Sequence, residues 1–489
     1  MSGPHSGRRH DLLIGGERVR PASDKYLDTI DPATGDAFAS VAVADDTDVD
    51  RAVRTARDAF PAWRDTDPAV RGRTLTRIAE SIRGRADDLA AVESRDQGKP
   101  VSQARSDIVS AARYFEYYAG AADKLEGRSV PVGTGQVDYT LREPYGVSAQ
   151  IIPWNFPGNL FARGVAPALA AGNAVVVKPA PTTPLSAYRF AELCAEAGVP
   201  EGVVNVVSGG GDTGSALTAH DGIDTITFTG SVATGQRVMT AAAEHVTPVT
   251  LELGGKNPAI VYPDTDLEAA VSWIERGIFT NGGQVCSAAD RAIVHESVYK
   301  AFVERIVARA ESYDLGPGAD DPDMGPLNSE QHRERVREYV AVGVEEGATV
   351  ATGGESPDHE GYFFEPTVLA DVDNRMRIAQ EEIFGPVLSV IPYGDDDDPV
   401  AIGNDTNYGL VAGVFTEDVR RAHRAAQRLE AGNVYINKWF GDTNQTPFGG
   451  YKQSGIGREK GLEALESYLQ SKNVAVNLER GGGGDLPGA

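Results

Sequence analysis

The chain is poor in cysteine and histidine and has no long apolar run. Two cysteines and eight histidines in 489 residues exclude a disulfide-stabilised scaffold and a cysteine-rich metal or iron–sulfur site. Neither HExxH nor CxxC occurs, so we predict no metal. No window approaches the roughly 18 apolar residues of a membrane span, and the N-terminus lacks the apolar core of a secretory signal. We therefore expect a soluble, cytoplasmic protein without a membrane partner.

Lysine is also scarce in a strongly acidic chain. Lys and Arg together number 46, only 10 of them Lys, against 71 Asp and Glu, which gives a formal net charge of −25. This balance argues against a nucleic-acid or anionic-membrane partner, because both require a basic face. An Asp-rich, Lys-poor composition resembles that of halophilic proteins that remain soluble in high salt. An ordinary acidic cytosolic protein is the alternative.

The length and the hydrophobic pattern predict an α/β protein of two or three domains. Short apolar runs alternate with helical patterns from about residue 145, at 147–152, 174–177, 203–207 and 225–228. Continuous apolar strands that alternate with helices indicate a doubly wound parallel sheet. A second βα series runs from near Pro258 to about 437, and both ends of the chain, a polar dozen at the start and Gly481–Asp485, are predicted to be loose.

Two glycine loops follow predicted strands. Gly209-x-Gly211-x-x-Gly214 matches a dinucleotide fingerprint, and the second loop, 230–235, opens the next helix. Glycines at such places let backbone N–H groups approach a pyrophosphate. A tight βα turn with no ligand is the alternative interpretation of each loop.

Three side chains are candidates for chemistry. Cys286 lies in a glycine-rich turn where a thiol can meet a ligand, whereas Cys194 lies on an amphipathic helix as a core residue. Glu252 ends an apolar strand, where burial raises a carboxyl pKa and favours a general base; a capping or paired Glu is the alternative. Asn155 follows another strand and carries an amide that can donate to an oxyanion.

Seven short motifs occur together in this order, and their combination resembles that of a known protein family. They are PWNFP at 153–157, KPA at 178–180, GSVATG at 230–235, LELGGK at 251–256, GQVC at 283–286, EEIFGP at 381–386 and PFGGYKQSGIGRE at 447–459. With these motifs the sequence resembles the aldehyde dehydrogenase superfamily, from near Gly15 to about Leu478.

The resemblance implies NAD(P)-dependent oxidation of a small-molecule aldehyde to the acid. Cys286 is then the nucleophile that forms a thiohemiacetal and, after hydride transfer to nicotinamide, a thioester. Asn155 and the Cys286 backbone N–H hold the oxyanion, and Glu252 activates the hydrolytic water. Family members that transfer the acyl group to coenzyme A lack this Glu. A non-catalytic relative and a thiol esterase without redox turnover are the alternatives.

The resemblance also implies a cofactor site and a substrate tunnel. The cofactor, NAD or NADP, is expected at Ile152, Trp154, Lys178, Gly230, Ser231, Gly235, Glu382 and Phe384. Loop 230–235 is then the working loop and 209–214 a structural turn. The tunnel is expected at Phe156, Leu160, Arg163 and Phe448. Arg163 is predicted either to pair with the distal carboxylate of a semialdehyde or to pair with a neighbouring acid of the protein.

The same resemblance divides the chain into three parts. A Rossmann-like coenzyme-binding domain is expected over 1–125 and 145–252, an α/β catalytic domain over 253–455, and a small β oligomerisation element over 126–144 and 456–489. Exposed strands of this kind usually pair between subunits, so we expect a homodimer or homotetramer.

Overall fold

A computed structural model describes residues 8–441 and 443–478. Its strands are β1 (Arg8–His10), β2 (Leu12–Ile14), β3 (Glu17–Val19), β4 (Tyr26–Ile30), β5 (Ala37–Ala42), β6 (Ser129–Val130), β7 (Gln136–Pro144), β8 (Val147–Ile152), β9 (Ala174–Pro179), β10 (Val204–Val206), β11 (Thr225–Thr229), β12 (Val249–Glu252), β13 (Pro258–Val261), β14 (Arg291–His295), β15 (Thr349–Thr352), β16 (Thr367–Ala370), β17 (Val387–Tyr393), β18 (Tyr408–Gly409), β19 (Val411–Phe415), β20 (Asn433–Ile436), β21 (Tyr451–Lys452), β22 (Gly455–Ile456) and β23 (Leu469–Asn477).

Helices lie between and around these strands. They are α1 (Asp46–Arg64), α2 (Pro68–Gly84), α3 (Ala86–Gln97), α4 (Val101–Ala119), α5 (Pro157–Ala171), α6 (Leu185–Glu196), α7 (Gly211–Thr218), α8 (Val232–Ala243), α9 (Leu267–Phe279), α10 (Glu296–Ala310), α11 (Glu330–Glu345), α12 (Arg377–Gln380), α13 (Pro399–Asn404), α14 (Val419–Arg428) and α15 (Glu463–Glu466). Within the described ranges, none of them has the length and apolar character to cross a membrane.

The first sheet has eight strands in the order β22-β12-β11-β8-β9-β10-β2-β3. Strands β12, β11, β8, β9 and β10 are parallel, which confirms the predicted parallel sheet. Successive β9 residues enter opposite cores: Val175 and Val177 pack with α2–α6, whereas Val176 packs with α1, α7 and α8. Helices therefore cover both faces, which is why these strands are buried along almost their whole length.

The second sheet has seven strands in the order β15-β16-β17-β14-β13-β19-β20. Only β15, at one edge, is antiparallel to its neighbour. This sheet contains the βα series predicted from near Pro258, and its fully buried residues Phe279, Phe302 and Trp439 pack between α9, α10 and the strands. The predicted α/β fold class is therefore correct for both large sheets.

A third sheet consists of β6, β7 and β23. Strand β23 pairs antiparallel with β7 over its whole length, from Leu469 opposite Pro144 to Asn477 opposite Gln136. The segments predicted as hairpin and partner strand thus pair within one chain. Strand β22 pairs instead with β12 of the first sheet, and the three domain boundaries stay a prediction.

The prediction of a loose polar start is wrong where the structure describes that segment. Arg8–His10 pairs parallel with β5, and Leu12–Ile14 joins the edge of the first sheet, where Leu12 is fully buried. Three-residue edge strands carry too little periodicity to be detected locally, because their pairing comes from the strands they meet. Residues 1–7 and Gly481–Asp485 lie outside the described residues.

Candidate active site

One cavity of about 820 Å³ collects most of the predicted site residues. Its lining includes all three candidate catalytic residues, five of the candidate cofactor residues and the four candidate tunnel residues, namely Asn155, Glu252, Cys286, Trp154, Gly230, Ser231, Glu382, Phe384, Phe156, Leu160, Arg163 and Phe448. Six of the seven sequence motifs therefore converge on a single cavity, and KPA at 178–180 is the exception.

Strand order explains how the first sheet contributes to this cavity. Strands β8, β11 and β12 are parallel neighbours, with Phe228 opposite Ile151 and Thr229 opposite Glu252. Because the carboxyl ends of parallel strands meet at one edge, the segment after β8, the loop after β11 and the end of β12 converge. This places Asn155 and Glu252 at the same edge of the sheet.

Cys286 comes from the second half of the chain, just after a tight turn. Helix α9 ends at Phe279, and the turn Thr280–Gly283 reverses the chain with left-handed backbone; Gly283 has φ +69°. A Cβ on Gly283 would lie 2.0 Å from the carbonyl oxygen of Gly385, so only glycine fits. Asn257 Nδ2 then donates to the Cys286 carbonyl at 2.9 Å and fixes the backbone that carries the thiol.

Asn155 is held by three hydrogen bonds. Its Nδ2 donates to the Gln284 carbonyl at 3.0 Å, and its own carbonyl accepts from Lys99 Nζ at 2.9 Å and from Asn281 Nδ2 at 3.0 Å. An amide nitrogen carries two N–H groups, and the described residues accept one of them. The second is available to an oxyanion near Cys286.

Glu252 lies in a buried charge cluster. It is 3% exposed, and neither carboxylate oxygen has a hydrogen-bond partner among the described residues. Burial and the negative charge of Glu459 raise the pKa of Glu252 well above its ordinary value, while Arg163 opposes the shift. Arg163 Nη2 lies 3.8 Å from Glu252 Oε2. A carboxyl group with these properties suits general-base chemistry near neutral pH.

Arg163 pairs with an acid of the protein itself. Its Nε contacts Glu459 Oε2 in an ion pair whose angles do not form a hydrogen bond, and its guanidinium lies 4.5 Å from the centre of the Phe448 ring. Of the two interpretations of Arg163, the structure therefore shows the pairing with a neighbouring acid.

The surroundings of Cys286 raise the pKa of its thiol. Burial raises its pKa to about 12; the positive charge of Arg163 lowers it, and the carboxylates of Glu382 and Glu252 raise it. The thiolate is the nucleophilic form of a cysteine, so a reaction of this thiol would require a proton acceptor, and the carboxyl groups of Glu252 and Glu382 line the same cavity.

One side of the cavity, called the nucleotide side below, is formed by Gly230, Ser231 and Glu382. Ser231 caps the N-terminus of α8 by accepting from the Thr234 N–H, and a Cβ on Gly230 would lie 2.5 Å from the Phe228 ring. Glu382 accepts from the Gly255 N–H at 3.0 Å, and burial raises its pKa to about 7. A glycine loop, a helix N-terminus and a carboxylate are groups that hold phosphate and ribose, so these residues fit a dinucleotide.

Comparison with known proteins identifies the family. The model of the family described as "Aldehyde dehydrogenase family" matches residues 19–474. The chain is 45% identical to a hydroxyisobutyraldehyde dehydrogenase of Mycolicibacterium austroafricanum, over 96% of this chain and 94% of that protein. It is 46% identical to an aldehyde dehydrogenase of Aspergillus niger, over 96% and 95%. The chain belongs to the aldehyde dehydrogenase family.

Solved structures of the family agree. An aldehyde dehydrogenase from Bacillus cereus, in an NAD+ complex, superposes with a TM-score of 0.95 at 43% identity and covers 96% of this chain and 97% of that one. A betaine aldehyde dehydrogenase from Staphylococcus aureus in complex with NAD+ gives 0.95 at 39% identity, over 96% of each chain. This protein is therefore an NAD(P)-dependent aldehyde dehydrogenase of α/β fold.

Three predicted cofactor residues of this aldehyde dehydrogenase lie outside the cavity lining. Ile152 and Lys178 stand at the ends of the paired strands β8 and β9, and Gly235 lies in the first turn of α8. Lys178 Nζ donates to the Pro179 carbonyl at 3.0 Å, and burial lowers its pKa to about 8. The glycine motif 209–214 overlaps the start of α7 and does not line the cavity; its interpretation as a structural turn stays a prediction.

Sequence reasoning missed several residues of the site. Glu459 ends the last motif and Lys460 follows it, so their position at that motif is the signal that could have identified them. His332 gave no signal: its Nε2 is 2.7 Å from the Phe384 carbonyl, and its ring lies 5.2 Å from Trp154. Burial lowers the pKa of His332 to about 4, so it remains a neutral contact beside the nucleotide side. Over 8–441 and 443–478, no group of three or more His, Cys, Asp or Glu could hold a metal ion.

Proposed function

We propose that this enzyme oxidises an aldehyde to the carboxylic acid through a covalent intermediate on Cys286. The observation that carries the proposal is the meeting, in one cavity, of the Cys286 thiol, the Asn155 amide and the buried carboxyl group of Glu252, which no described residue hydrogen-bonds. These groups match a nucleophile, an oxyanion donor and a general base.

Acylation begins when Cys286 Sγ attacks the aldehyde carbonyl carbon. The thiol proton passes to a carboxylate of the cavity, Glu252 being the candidate, and the carbonyl oxygen becomes an oxyanion. The free N–H of Asn155 and the Cys286 backbone N–H donate to that oxygen, and such donors contribute on the order of 10²–10³ in rate. The nicotinamide, when bound, supplies the hydride acceptor that turns the thiohemiacetal into a thioester.

Hydrolysis of the thioester completes the cycle. Glu252, which has by then released the thiol proton to solvent, takes a proton from a water molecule; the resulting hydroxide adds to the acyl carbon and the C–S bond breaks. Cys286 leaves as a thiolate, which recovers a proton from Glu252, and the acid is released. Burial suits Glu252 to this step, because a carboxyl group with a raised pKa binds a proton near neutral pH more readily than an exposed one.

NAD or NADP is the proposed cofactor. Gly230, Ser231 and the start of α8 would hold the phosphates, while Glu382 and Phe384 would hold the nicotinamide ribose. The Phe384 ring centre lies 5.3 Å from that of Trp154, and both residues line the cavity. We propose a small-molecule aldehyde as the substrate; the related enzymes are named for hydroxyisobutyraldehyde and betaine aldehyde.

We propose a homodimer or homotetramer in the cytoplasm, assembled through the third sheet. Apolar side chains on β7 and β23 are exposed in the single chain: Val137 is 43%, Leu141 41% and Val476 40% exposed. A sheet with a free edge and exposed apolar residues is suited to pairing with a second copy. Light scattering in molar KCl should give a mass of two or four chains of 51.9 kDa, and a monomer would contradict the proposal.

An aldehyde-dependent rise in absorbance at 340 nm tests the reaction, with hydroxylated, aliphatic, aromatic, betaine and semialdehyde substrates and both cofactors in high salt. Cys286→Ser should abolish turnover while cofactor binding is retained, because a serine hydroxyl has no comparably acidic nucleophilic form. Cys194→Ser is the control; Cys194 is fully buried on α6 in the core and should leave turnover near that of the native enzyme.

Turnover of Cys286→Ser within tenfold of the native enzyme would refute Cys286 as nucleophile. Ester hydrolysis without any absorbance rise would support the thiol esterase alternative instead.

A further inference from the structure

Lys99 is a buried lysine that touches the candidate oxyanion site. It lies between α3 and α4, and its side chain is 0% exposed. Its Nζ is 2.7 Å from Asp107 Oδ2, 3.3 Å from Glu93 Oε1 and 2.9 Å from the Asn155 carbonyl. An ammonium group has three donors, so each N–H has one acceptor. The attraction between buried charges offsets their desolvation only when every donor and acceptor of the pair is hydrogen-bonded.

The backbone of Lys99 is held by two further hydrogen bonds. Ser94 Oγ donates to the Lys99 carbonyl at 2.6 Å, and the Lys99 N–H donates to Gln97 Oε1 at 2.9 Å. Nζ also lies 4.1 Å from the centre of the Phe156 ring. Hydrogen bonds thus fix the backbone of Lys99, while its ammonium group also contacts the ring of the residue after Asn155.

Glu93 extends the same network to the start of α5. Its Oε2 accepts from the Gly158 N–H at 2.9 Å and from Ser186 Oγ at 3.2 Å. Phe156 provides no side-chain cap to α5, so the Glu93 carboxylate satisfies a backbone donor at the positive end of that helix. Lys99 and Glu93 together clamp the segment that presents Asn155 to the cavity.

We propose that Lys99 is a positioning residue for Asn155. By holding the Asn155 carbonyl, its ammonium group keeps the side-chain amide, which donates to the Gln284 carbonyl two residues before Cys286, aimed at the aldehyde oxygen. The inference rests on the proposed function of Asn155 and Cys286. A displacement of about 1 Å in such a group reduces rate by roughly 10²-fold.

Lys99→Met tests this directly, since methionine removes the charge and keeps most of the length. The measurement is the single-turnover rate of reduced nicotinamide formation with saturating aldehyde and cofactor, and it should fall by about 10- to 100-fold. The cofactor dissociation constant and the rate of Cys286 alkylation by iodoacetamide should stay within about threefold, because alkylation forms no oxyanion. Ser186→Ala, which disturbs the network at the end away from Asn155, is the matched control and should stay within about threefold.

A double-mutant cycle separates positioning from general damage. In an Asn155→Ala background, Lys99→Met should slow the first turnover by less than about threefold, because the group it acts through is gone. If Lys99→Met does not fold, Lys99→Met with Glu93→Gln replaces it. The three side chains of Lys99, Glu93 and Asp107 have a formal net charge of −1 in the native enzyme. The double variant keeps this value, because it removes one positive and one negative charge.

The outcomes separate a failure of the proposed function from a failure of the positioning role of Lys99. A native enzyme without aldehyde-dependent nicotinamide reduction refutes the proposed function. A native enzyme that reacts, with every Lys99 variant within about threefold of it, refutes the positioning role. Equal slowing with and without Asn155, or slowing of alkylation by the same factor, also refutes it.

Discussion

At the residue scale, the unusual feature of the site is a buried carboxyl group, that of Glu252, which has no hydrogen-bond partner among the described residues. Leaving a buried polar group unsatisfied costs about 1–3 kcal/mol, and more for a charge. Both carboxylate oxygens of Glu252 lack such a partner within the described part of the chain. Arg163 comes no closer to Glu252 than 3.8 Å, because its guanidinium group also pairs with Glu459. Such an environment is unfavourable for a structural Glu and favourable for one that exchanges protons.

Glu252→Gln should slow thioester hydrolysis more than hydride transfer. Glutamine keeps the size of the side chain and cannot accept the proton of water, so acyl-enzyme should accumulate. Rapid mixing should then show a burst of reduced nicotinamide followed by a steady state at least tenfold slower than that of the native enzyme. A first turnover slowed as much as the steady state would contradict the role of hydrolytic base.

Glu459→Gln should move the pH dependence of hydrolysis. Glu459 raises the pKa of Glu252 by its negative charge, so removing that charge lowers the pKa and leaves Arg163 free to approach Glu252. The base form of Glu252 is the unprotonated one; hydrolysis therefore increases as pH rises through its pKa, and the acidic limb should shift to lower pH. Glu463→Gln, an exposed carboxylate of α15, is the control. An unshifted limb, or one shifted to higher pH, would contradict the coupling.

At the element scale, the turn between β9 and α6 bears on cofactor preference. Many NAD-preferring relatives place an acid three residues after the KPA lysine, where it would repel the 2′-phosphate of NADP. Pro181 occupies that position here, in the turn that follows β9. Specificity that depends on a repulsive group is relaxed when the group is absent.

We therefore expect activity with both cofactors, with kcat/KM values within roughly a hundredfold, or under about 3 kcal/mol. Pro181→Glu should shift the ratio toward NAD, because a carboxylate would repel the 2′-phosphate. Pro181→Gln removes the same proline without a charge and should shift the ratio much less. A native preference for NAD above a thousandfold would mean that another residue discriminates.

At the scale of the whole molecule, net charge governs behaviour in salt. A formal charge of −25 makes the folded chain repel itself, and salt screens that repulsion. The melting temperature and the activity should both rise from about 50 mM to molar KCl, with screening lengths falling from above 10 Å to about 3 Å. Choline chloride should act similarly, since it screens equally well. Full activity and an unchanged melting temperature at low salt would refute the halophilic interpretation.

The sequence by itself determined the family, the reaction class and the parallel strands. Apolar runs and glycine turns are local signals, and the order of seven short motifs is specific enough to place Cys286, Glu252 and Asn155 together.

Only the tertiary structure decided which charges meet. Lys99 lies 56 residues before Asn155, and Arg163 pairs with Glu459 from the far end of the chain. Such contacts depend on how helices and strands pack, because no local pattern records which buried lysine faces which carbonyl. The short N-terminal strands are similar: their partners, not their own residues, make them strands.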